Sequence, residues 1–100
     1  MSTKILITDP ISDSGLDKLK DAGFEVLYKI NSSEDEIHTF VTNIDGWIIR
    51  SGTKINDSLI NDANKLQIIG RAGVGIDNID VNAATAKGII VMNVPDGNTI

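Results

Sequence analysis

Apolar residues fall into five short runs, and the segments between the runs have helical spacing. The runs cover about residues 3–8, 24–28, 46–50, 65–69 and 89–92. They are rich in β-branched and aromatic residues, and Gly, Pro, Asp, Asn or Ser stand close to their ends, which is typical of buried strands. The pattern therefore predicts five strands.

Helix start and stop signals lie between these runs. Ser12, Ser33, Asn56 and Asp80 are predicted N-caps, and glycines 23 and 88 follow two of the predicted helix ends. Ser33 and Glu36 have the spacing of a capping box, and the apolar residues at 37, 40, 41 and 44 line one face of the helix that follows. Four helices are predicted, at about residues 12–22, 33–44, 56–61 and 80–87.

Strands that alternate with helices predict an α/β fold with a parallel sheet. Each right-handed crossover returns the chain to the same end of the sheet, so the helices cover both faces in three α/β/α layers. A flavodoxin-like strand order of 2-1-3-4-5 fits five strands. Ligands in such folds bind outside the carboxyl ends of the strands, so the loops that follow strands are the candidate binding loops.

Composition narrows the class of protein. The chain has 100 residues, a net charge of −5 and a pI near 4.6, which disfavours nucleic acid or an anionic membrane as a partner. It has no cysteine, which fits a reducing cytosol and excludes disulfides and thiolate metal sites. No targeting or membrane-spanning stretch is present in the sequence, so we expect a cytoplasmic protein of one domain.

Two predicted loops carry the donors that an anion requires. Arg50-Ser51-Gly52-Thr53 follows the third strand, and Arg71 lies in the glycine-rich stretch 70–75 that follows the fourth. A guanidinium holds a carboxylate or phosphate through two parallel hydrogen bonds, and unhindered backbone amides add further donors. If the third and fourth strands are neighbours, both arginines are expected to face one cleft.

Each of these features also has a plain structural interpretation. A strand-end arginine is as often a solvated charge or the partner of a nearby aspartate, and Ser51 and Thr53 are also possible helix caps. The glycine stretch does not meet the dinucleotide fingerprint G-x-G-x-x-G, because Asn78 stands where the third glycine belongs.

The sequence offers no convincing catalyst or metal site. His38 lies within the second predicted helix, away from the carboxyl edge, and is expected to be a surface or partly packed residue. Ser51 has no histidine near it in the sequence or in the expected fold. Asp77, Asp80 and Asp96 are better explained as caps and turn residues than as a carboxylate cluster.

At these motifs the chain resembles a known family. The stretches that carry the resemblance are 5–12, Arg50-Ser51-Gly52-Thr53-Lys54, 70–80, 83–85 and 93–99, so it extends over nearly all of the chain. They are similar to the D-isomer-specific 2-hydroxyacid dehydrogenases. The resemblance implies that residues 1–100 are the N-terminal part of a substrate-binding domain, with the NAD-binding Rossmann domain and the catalytic residues outside this chain.

The resemblance also implies roles for single residues. The substrate would be bound by Arg50, Ser51, Thr53, Arg71, Ala72, Gly73 and Val74, and Val74, Asn98 and Thr99 would lie beside the NAD cofactor. The implied reaction is oxidation of 3-phospho-D-glycerate to 3-phosphooxypyruvate, the first step of serine biosynthesis, in a homo-oligomeric parent enzyme. The isolated chain is expected to be inactive.

Two alternatives stay open at this point. One is a segment of another D-2-hydroxyacid dehydrogenase, of the glyoxylate or hydroxypyruvate type. The other is a stand-alone flavodoxin-like module that binds a small anion and needs no second domain.

Overall fold

The computed structural model describes residues 3–72 and 78–94. This part of the chain forms five strands and four α-helices in strict alternation. The strands are β1 (Lys4–Ile7), β2 (Glu25–Tyr28), β3 (Gly46–Ile49), β4 (Ile68–Ala72) and β5 (Ile90–Val94). The helices are α1 (Asp13–Asp21), α2 (Glu34–Phe40), α3 (Asp57–Asp62) and α4 (Val81–Ala86), and a 3₁₀ turn (Val41–Asn43) follows α2.

The five strands form one parallel sheet in the order β2-β1-β3-β4-β5, which confirms the predicted fold class and strand order. The order reverses at β1, since β2 lies on one side of it and β3 on the other. Because crossovers are right-handed, this reversal puts α1 on one face of the sheet and α2, α3 and α4 on the opposite face.

The main core lies between the sheet and the three helices α2, α3 and α4. Leu6, Trp47 and Ile69 are adjacent in the strand register and are fully buried against these helices, so the prediction that Trp47 is a core residue is confirmed. The four predicted caps are also present: Ser12, Ser33, Asn56 and Asp80 each accept a backbone N–H of the helix that they precede.

The opposite face of the sheet becomes steadily more exposed toward β5. Ile5 and Ile7 on β1 are buried, whereas Ile90 and Met92 on β5 are 62% and 45% exposed. Gly46 sits in the same row, and a Cβ there would meet the Ile5 side chain at 2.7 Å, so glycine is the residue that lets Ile5 lie flat on the sheet. Within residues 3–72 and 78–94, α1 is the one helix on this face.

Three elements differ from the sequence predictions by more than one residue. β4 was predicted at 65–69 but runs from Ile68 to Ala72, so Gly70 and Arg71 are strand residues and not loop residues. β5 likewise continues to Val94, and α2 ends at Phe40 with a 3₁₀ turn after it. The strands extend because β4 is hydrogen-bonded on both sides, and this pairing outweighs the weak strand preference of Gly70.

Helices long and apolar enough to cross a bilayer are not found in the described part of the chain.

Candidate functional site

Asp9, two residues after the end of β1, organises the loop that follows β3. Its carboxylate accepts the backbone N–H of Arg50 at 2.8 Å, the backbone N–H of Thr53 at 2.9 Å and the hydroxyl of Thr53 at 2.8 Å. Asp9 and Thr53 are both buried. Charge-assisted hydrogen bonds of this kind are short and strong, so the loop 50–53 is fixed to the end of the neighbouring strand.

A buried chain of hydroxyls extends this anchor into the core. Trp47 donates its indole N–H to the Thr8 hydroxyl at 3.0 Å, and the Thr8 and Thr53 hydroxyls are 2.8 Å apart. Because Thr53 Oγ1 donates to Asp9, it accepts the proton of Thr8, so the indole N–H and both hydroxyls have a partner. The loop is thereby connected to the largest side chain of the core.

Asn78 connects the same loop to β4. Its side-chain nitrogen donates to the carbonyl oxygens of Arg50 at 2.7 Å and Thr53 at 2.6 Å, and its side-chain oxygen accepts Nε of Arg71 at 2.9 Å. The segment 78–80 also pairs with the loop after β3, since Ile55 N–H donates to the Asn78 carbonyl and Asp80 N–H donates to the Ile55 carbonyl.

An open cleft of about 640 Å³ lies beside this connection, outside the carboxyl ends of β3 and β4. Its floor is the buried pair Ile55 and Ile79. The other lining residues are Ser51, Lys54, Asn56, Arg71, Asn78 and Asp80. Two cationic side chains and a hydroxyl thus meet at the edge of the sheet where ligands of parallel α/β folds bind.

Two side chains of the cleft that carry acceptor oxygens, Asp80 and Asn56, are used as helix caps. One carboxylate oxygen of Asp80 accepts the backbone N–H of Ala83 at 3.0 Å, as the N-cap of α4, and Asn56 Oδ1 accepts the backbone N–H of Leu59 at 2.9 Å. These acceptors are directed at helix N-termini. The arrangement can therefore bind an anion through the guanidinium, the ammonium group and the Ser51 hydroxyl.

The predicted site residues occupy different environments. Ser51 is exposed and lines the cleft, and Arg71 lines it from a buried position in β4. Arg50 is half-buried, is not among the described lining residues, and donates from Nη1 to the Pro10 carbonyl at 3.4 Å. Thr53 is buried and its hydroxyl contacts Asp9 and Thr8.

Of the five further predicted residues, only Ala72 is among those that the structure describes. Ala72 is half-buried at the end of β4. Gly73, Val74, Asn98 and Thr99 lie outside the described residues. The substrate and cofactor roles assigned to all of these positions remain predictions. β3 and β4 are neighbours with Ile49 opposite Arg71, but Arg71 lines the cleft and Arg50 does not, so the expectation that both arginines face one cleft holds for Arg71 alone.

Sequence reasoning did not identify the two residues that assemble the site. The sequence pattern gives Asp9 no separate role, and it marks Asn78 only as a departure from the glycine fingerprint. Lys54 was likewise not singled out, although it lines the cleft. A polar residue directly after a buried strand was the available signal for Asp9, but its partners are 41 and 44 positions away.

His38 lies apart from the cleft, between α2 and α3. Its Nδ1 is hydrogen-bonded to the Asp62 carboxylate, and its Nε2 lies 3.6 Å from Glu34 Oε2 and 3.5 Å from the Ser58 hydroxyl. The hydrogen bond to Asp62 has the largest effect and raises the pKa of His38. Desolvation comes second and lowers this pKa, while the charge of Asp62 and the contact with Glu34 raise it further. The expectation that His38 is a partly packed residue is confirmed. Among the described residues, no three His, Cys, Asp or Glu side chains group as metal ligands.

Comparison with known proteins agrees with this picture. A family model described as D-isomer specific 2-hydroxyacid dehydrogenase, catalytic domain, matches residues 5–100. The chain is 45% identical to the D-3-phosphoglycerate dehydrogenase of Sus scrofa and 46% identical to that of Archaeoglobus fulgidus. Each match extends over 97 residues, or 97% of this chain.

A solved structure shares the fold. The NAD⁺-bound 3-phosphoglycerate dehydrogenase of Entamoeba histolytica matches 93% of this chain with a TM-score of 0.83 and 33% identity, and the match covers 33% of that protein. The chain spans 18% of the length of the two curated relatives. With a family match over nearly its whole length, the chain belongs to the D-isomer-specific 2-hydroxyacid dehydrogenases.

Proposed function

We propose that this chain is the substrate-binding part of an NAD-dependent dehydrogenase that oxidises 3-phospho-D-glycerate to 3-phosphooxypyruvate. The observation that carries the proposal is the cleft in which Ser51, Lys54 and Arg71 meet at the carboxyl edge of the sheet. The names of the relatives at 45–46% identity support the choice of substrate. The proposal includes a cytoplasmic, homo-oligomeric parent enzyme in serine biosynthesis, as the family resemblance implies.

The substrate has two anionic groups, a carboxylate and a phosphate. A guanidinium suits either group because it donates two parallel hydrogen bonds, while an ammonium group on a flexible stem suits the phosphate as a point charge. In this proposal Arg71 and Ser51 orient the substrate and Lys54 neutralises its phosphate. Rigid attachment of the loop 50–53 through Asp9 keeps these donors in place before the substrate arrives.

The described residues do not fit a whole NAD molecule. In dinucleotide-binding folds the turn after the first strand is glycine-rich and holds the pyrophosphate at a helix N-terminus. Here that turn contains the buried carboxylate of Asp9, whose negative charge would repel a pyrophosphate. We therefore assign most of the NAD contacts, the proton acceptor and the catalytic residues to parts of a longer protein.

The proposal is tested by a ¹⁵N NMR titration of this chain with 3-phospho-D-glycerate and, separately, with D-glycerate. We expect saturable shifts at the amides of 50–54 and 71–72 with the phosphorylated acid, and weaker binding after Arg71→Lys or Lys54→Met. Lys65→Met, which removes an exposed lysine outside the cleft, serves as the matched control. Equal affinity for D-glycerate would favour a dehydrogenase of an unphosphorylated hydroxy acid.

A second measurement addresses the expected inactivity of the chain. With 3-phospho-D-glycerate and NAD, we expect no NADH absorbance at 340 nm above a control without protein, because this chain supplies neither the proton acceptor nor the main cofactor contacts. NADH production by the purified chain would contradict the proposed division of labour.

A further inference from the structure

We infer that Asn78 is a positioning residue that sets the direction of the Arg71 guanidinium relative to the loop 50–53. The inference rests on the proposed function, in which Arg71 and this loop bind one substrate. Neither the sequence motifs nor the similarity to the family assigns Asn78 a role in the site.

The geometry uses both halves of the Asn78 amide. The oxygen accepts Arg71 Nε at 2.9 Å, and the nitrogen donates to two carbonyl oxygens, those of Arg50 at 2.7 Å and Thr53 at 2.6 Å. Only one orientation of the amide satisfies all three contacts, because an oxygen turned toward the carbonyls would face two acceptors. The side chain is therefore fixed by its partners.

The backbone of Asn78 is fixed as well. Its carbonyl oxygen accepts the N–H of Ile55 at 2.9 Å, and the next residue, Ile79, bridges to Ile55. Ile55 and Ile79 are both buried beneath the cleft. Both the backbone and the amide group of Asn78 are thus held by the loop that follows β3. Because the same amide accepts Arg71 Nε, the position of the loop determines the direction of the Arg71 side chain on β4.

A simple structural role would make Asn78 important for stability alone. A positioning role predicts more: the hydrogen bond of Arg71 Nε–H and the affinity for an anion should change together. The chain has only two arginines, Arg50 and Arg71, so their two Nε–H signals in a ¹H–¹⁵N spectrum are assigned by comparison with Arg50→Lys. The signal of Arg71 reports the contact with Asn78 directly.

The experiment compares Asn78→Ala and Asn78→Asp in the 100-residue chain. In Asn78→Ala we expect the hydrogen exchange of Arg71 Nε–H to become at least about tenfold faster and the Kd for 3-phospho-D-glycerate to rise about tenfold, as loss of one charge-assisted hydrogen bond implies. Asn78→Asp keeps an acceptor for Arg71 and adds the attraction of an ion pair, so its Nε–H should stay slow. Its second oxygen faces the carbonyl oxygens of Arg50 and Thr53, so the loop should move away and the amide signals of residues 51–54 should shift.

Ser33→Ala provides the matched control for stability. Ser33 caps α2 through Glu36 N–H and lies outside the residues that line the cleft, so its loss should destabilise the chain without changing either arginine signal. If Asn78→Ala does not fold, Asn78→Asp alone decides the question through the two signals named above.

Each outcome is informative. Unchanged Arg71 Nε–H exchange in Asn78→Ala, or fast exchange in Asn78→Asp, would overturn the positioning role. Unchanged affinity in Asn78→Ala with a wild-type chain that binds would also overturn it. If the wild-type chain does not bind 3-phospho-D-glycerate but the exchange and amide signals respond as expected, the positioning role holds and the proposed function fails for this chain.

Discussion

Asp9 and Thr53 are 44 positions apart in the chain and hold each other through two hydrogen bonds, from the backbone N–H at 2.9 Å and from the hydroxyl at 2.8 Å. Both residues are buried, and the third bond of the carboxylate goes to Arg50 N–H. The carboxylate therefore accepts two backbone N–H groups and one hydroxyl of this loop, which would otherwise need water as their acceptor. This relationship explains why a loop with a glycine at position 52 has a defined shape.

Replacing this carboxylate by an amide should destabilise the protein. In Asp9→Asn the charge is lost, and the amide nitrogen faces N–H donors in place of an acceptor oxygen. We expect the free energy of unfolding to fall by about 2 kcal/mol, as for other hydrogen bonds to charged groups. Urea unfolding followed by Trp47 fluorescence measures this change. Asp17→Asn, on the exposed side of α1, is the control and should change stability by less than about 0.5 kcal/mol.

We expect the Thr8 hydroxyl to stabilise the protein because it accepts the indole N–H of Trp47. Thr8→Val keeps the shape of the side chain but leaves the buried indole N–H of Trp47 without its acceptor. A buried donor without a partner costs about 1–3 kcal/mol, and we expect a loss in this range in urea unfolding.

Trp47 is the one tryptophan of the chain, so its emission spectrum reports the same change. We expect the emission of Thr8→Val to shift, because the hydrogen bond to the indole is lost. The control is Thr85→Val at an exposed position of α4. A loss of stability no larger than that of the control would show that the hydroxyl chain is unimportant.

The contact between His38 and Asp62 makes stability depend on pH. The pKa of His38 is raised in the folded state, chiefly by the hydrogen bond to Asp62. The imidazole therefore binds its second proton more tightly in the folded state than in the unfolded chain. The stabilisation is therefore complete below the unfolded pKa of about 6.5 and is lost as the pH rises through the folded pKa above it.

This pH effect can be measured on one residue because the chain has a single histidine. We expect the difference in unfolding free energy between the wild-type chain and His38→Gln to decrease from pH 6 to pH 8.5. The NMR titration of the His38 ring should give a lower pKa in Asp62→Asn, and a smaller decrease in Glu34→Gln, whose oxygen lies 3.6 Å from Nε2. A His38 pKa that is unchanged in Asp62→Asn would contradict this account.

Lys87 stabilises the end of a helix to which it does not belong. Its ammonium group, just after α4, donates to the carbonyl oxygens of Ile60 and Asn61 at 2.8 Å each, at the C-terminal end of α3. A cation at this position complements the helix dipole and adds a donor for the last carbonyls of α3, of which that of Ile60 also accepts the backbone N–H of Ala63. We expect Lys87→Met to lower the unfolding free energy by about 1 kcal/mol.

Thermal unfolding by circular dichroism tests this role of Lys87, since a change of this size lowers the Tm of a 100-residue domain by about 4–8 °C. Lys65→Met, at an exposed position outside the helices, is the control. Equal Tm values for the two variants would show that the contacts of Lys87 contribute nothing to stability.

The sequence by itself determined the elements and the fold class. Short apolar runs, segments with helical spacing, the caps at Ser12, Ser33, Asn56 and Asp80, and the right-handed crossover rule lead to a parallel sheet of five strands, and the order that fits such a sheet is the observed one. The motifs around Arg50 and Arg71 also indicated the correct family. These signals depend on residues that are close together in the sequence, so they can be recognised in a single sequence.

Only the tertiary structure decided which residues assemble the site. Arg71 belongs to a strand because β3 and β5 both pair with β4 at this position, and no local pattern reports partners on neighbouring strands. The side chains of Asp9 and Asn78 bind backbone groups that are 25 to 44 positions away, and such groups are common to every residue. Because backbone groups carry no sequence signal, contacts to them become visible only when the fold brings the segments together.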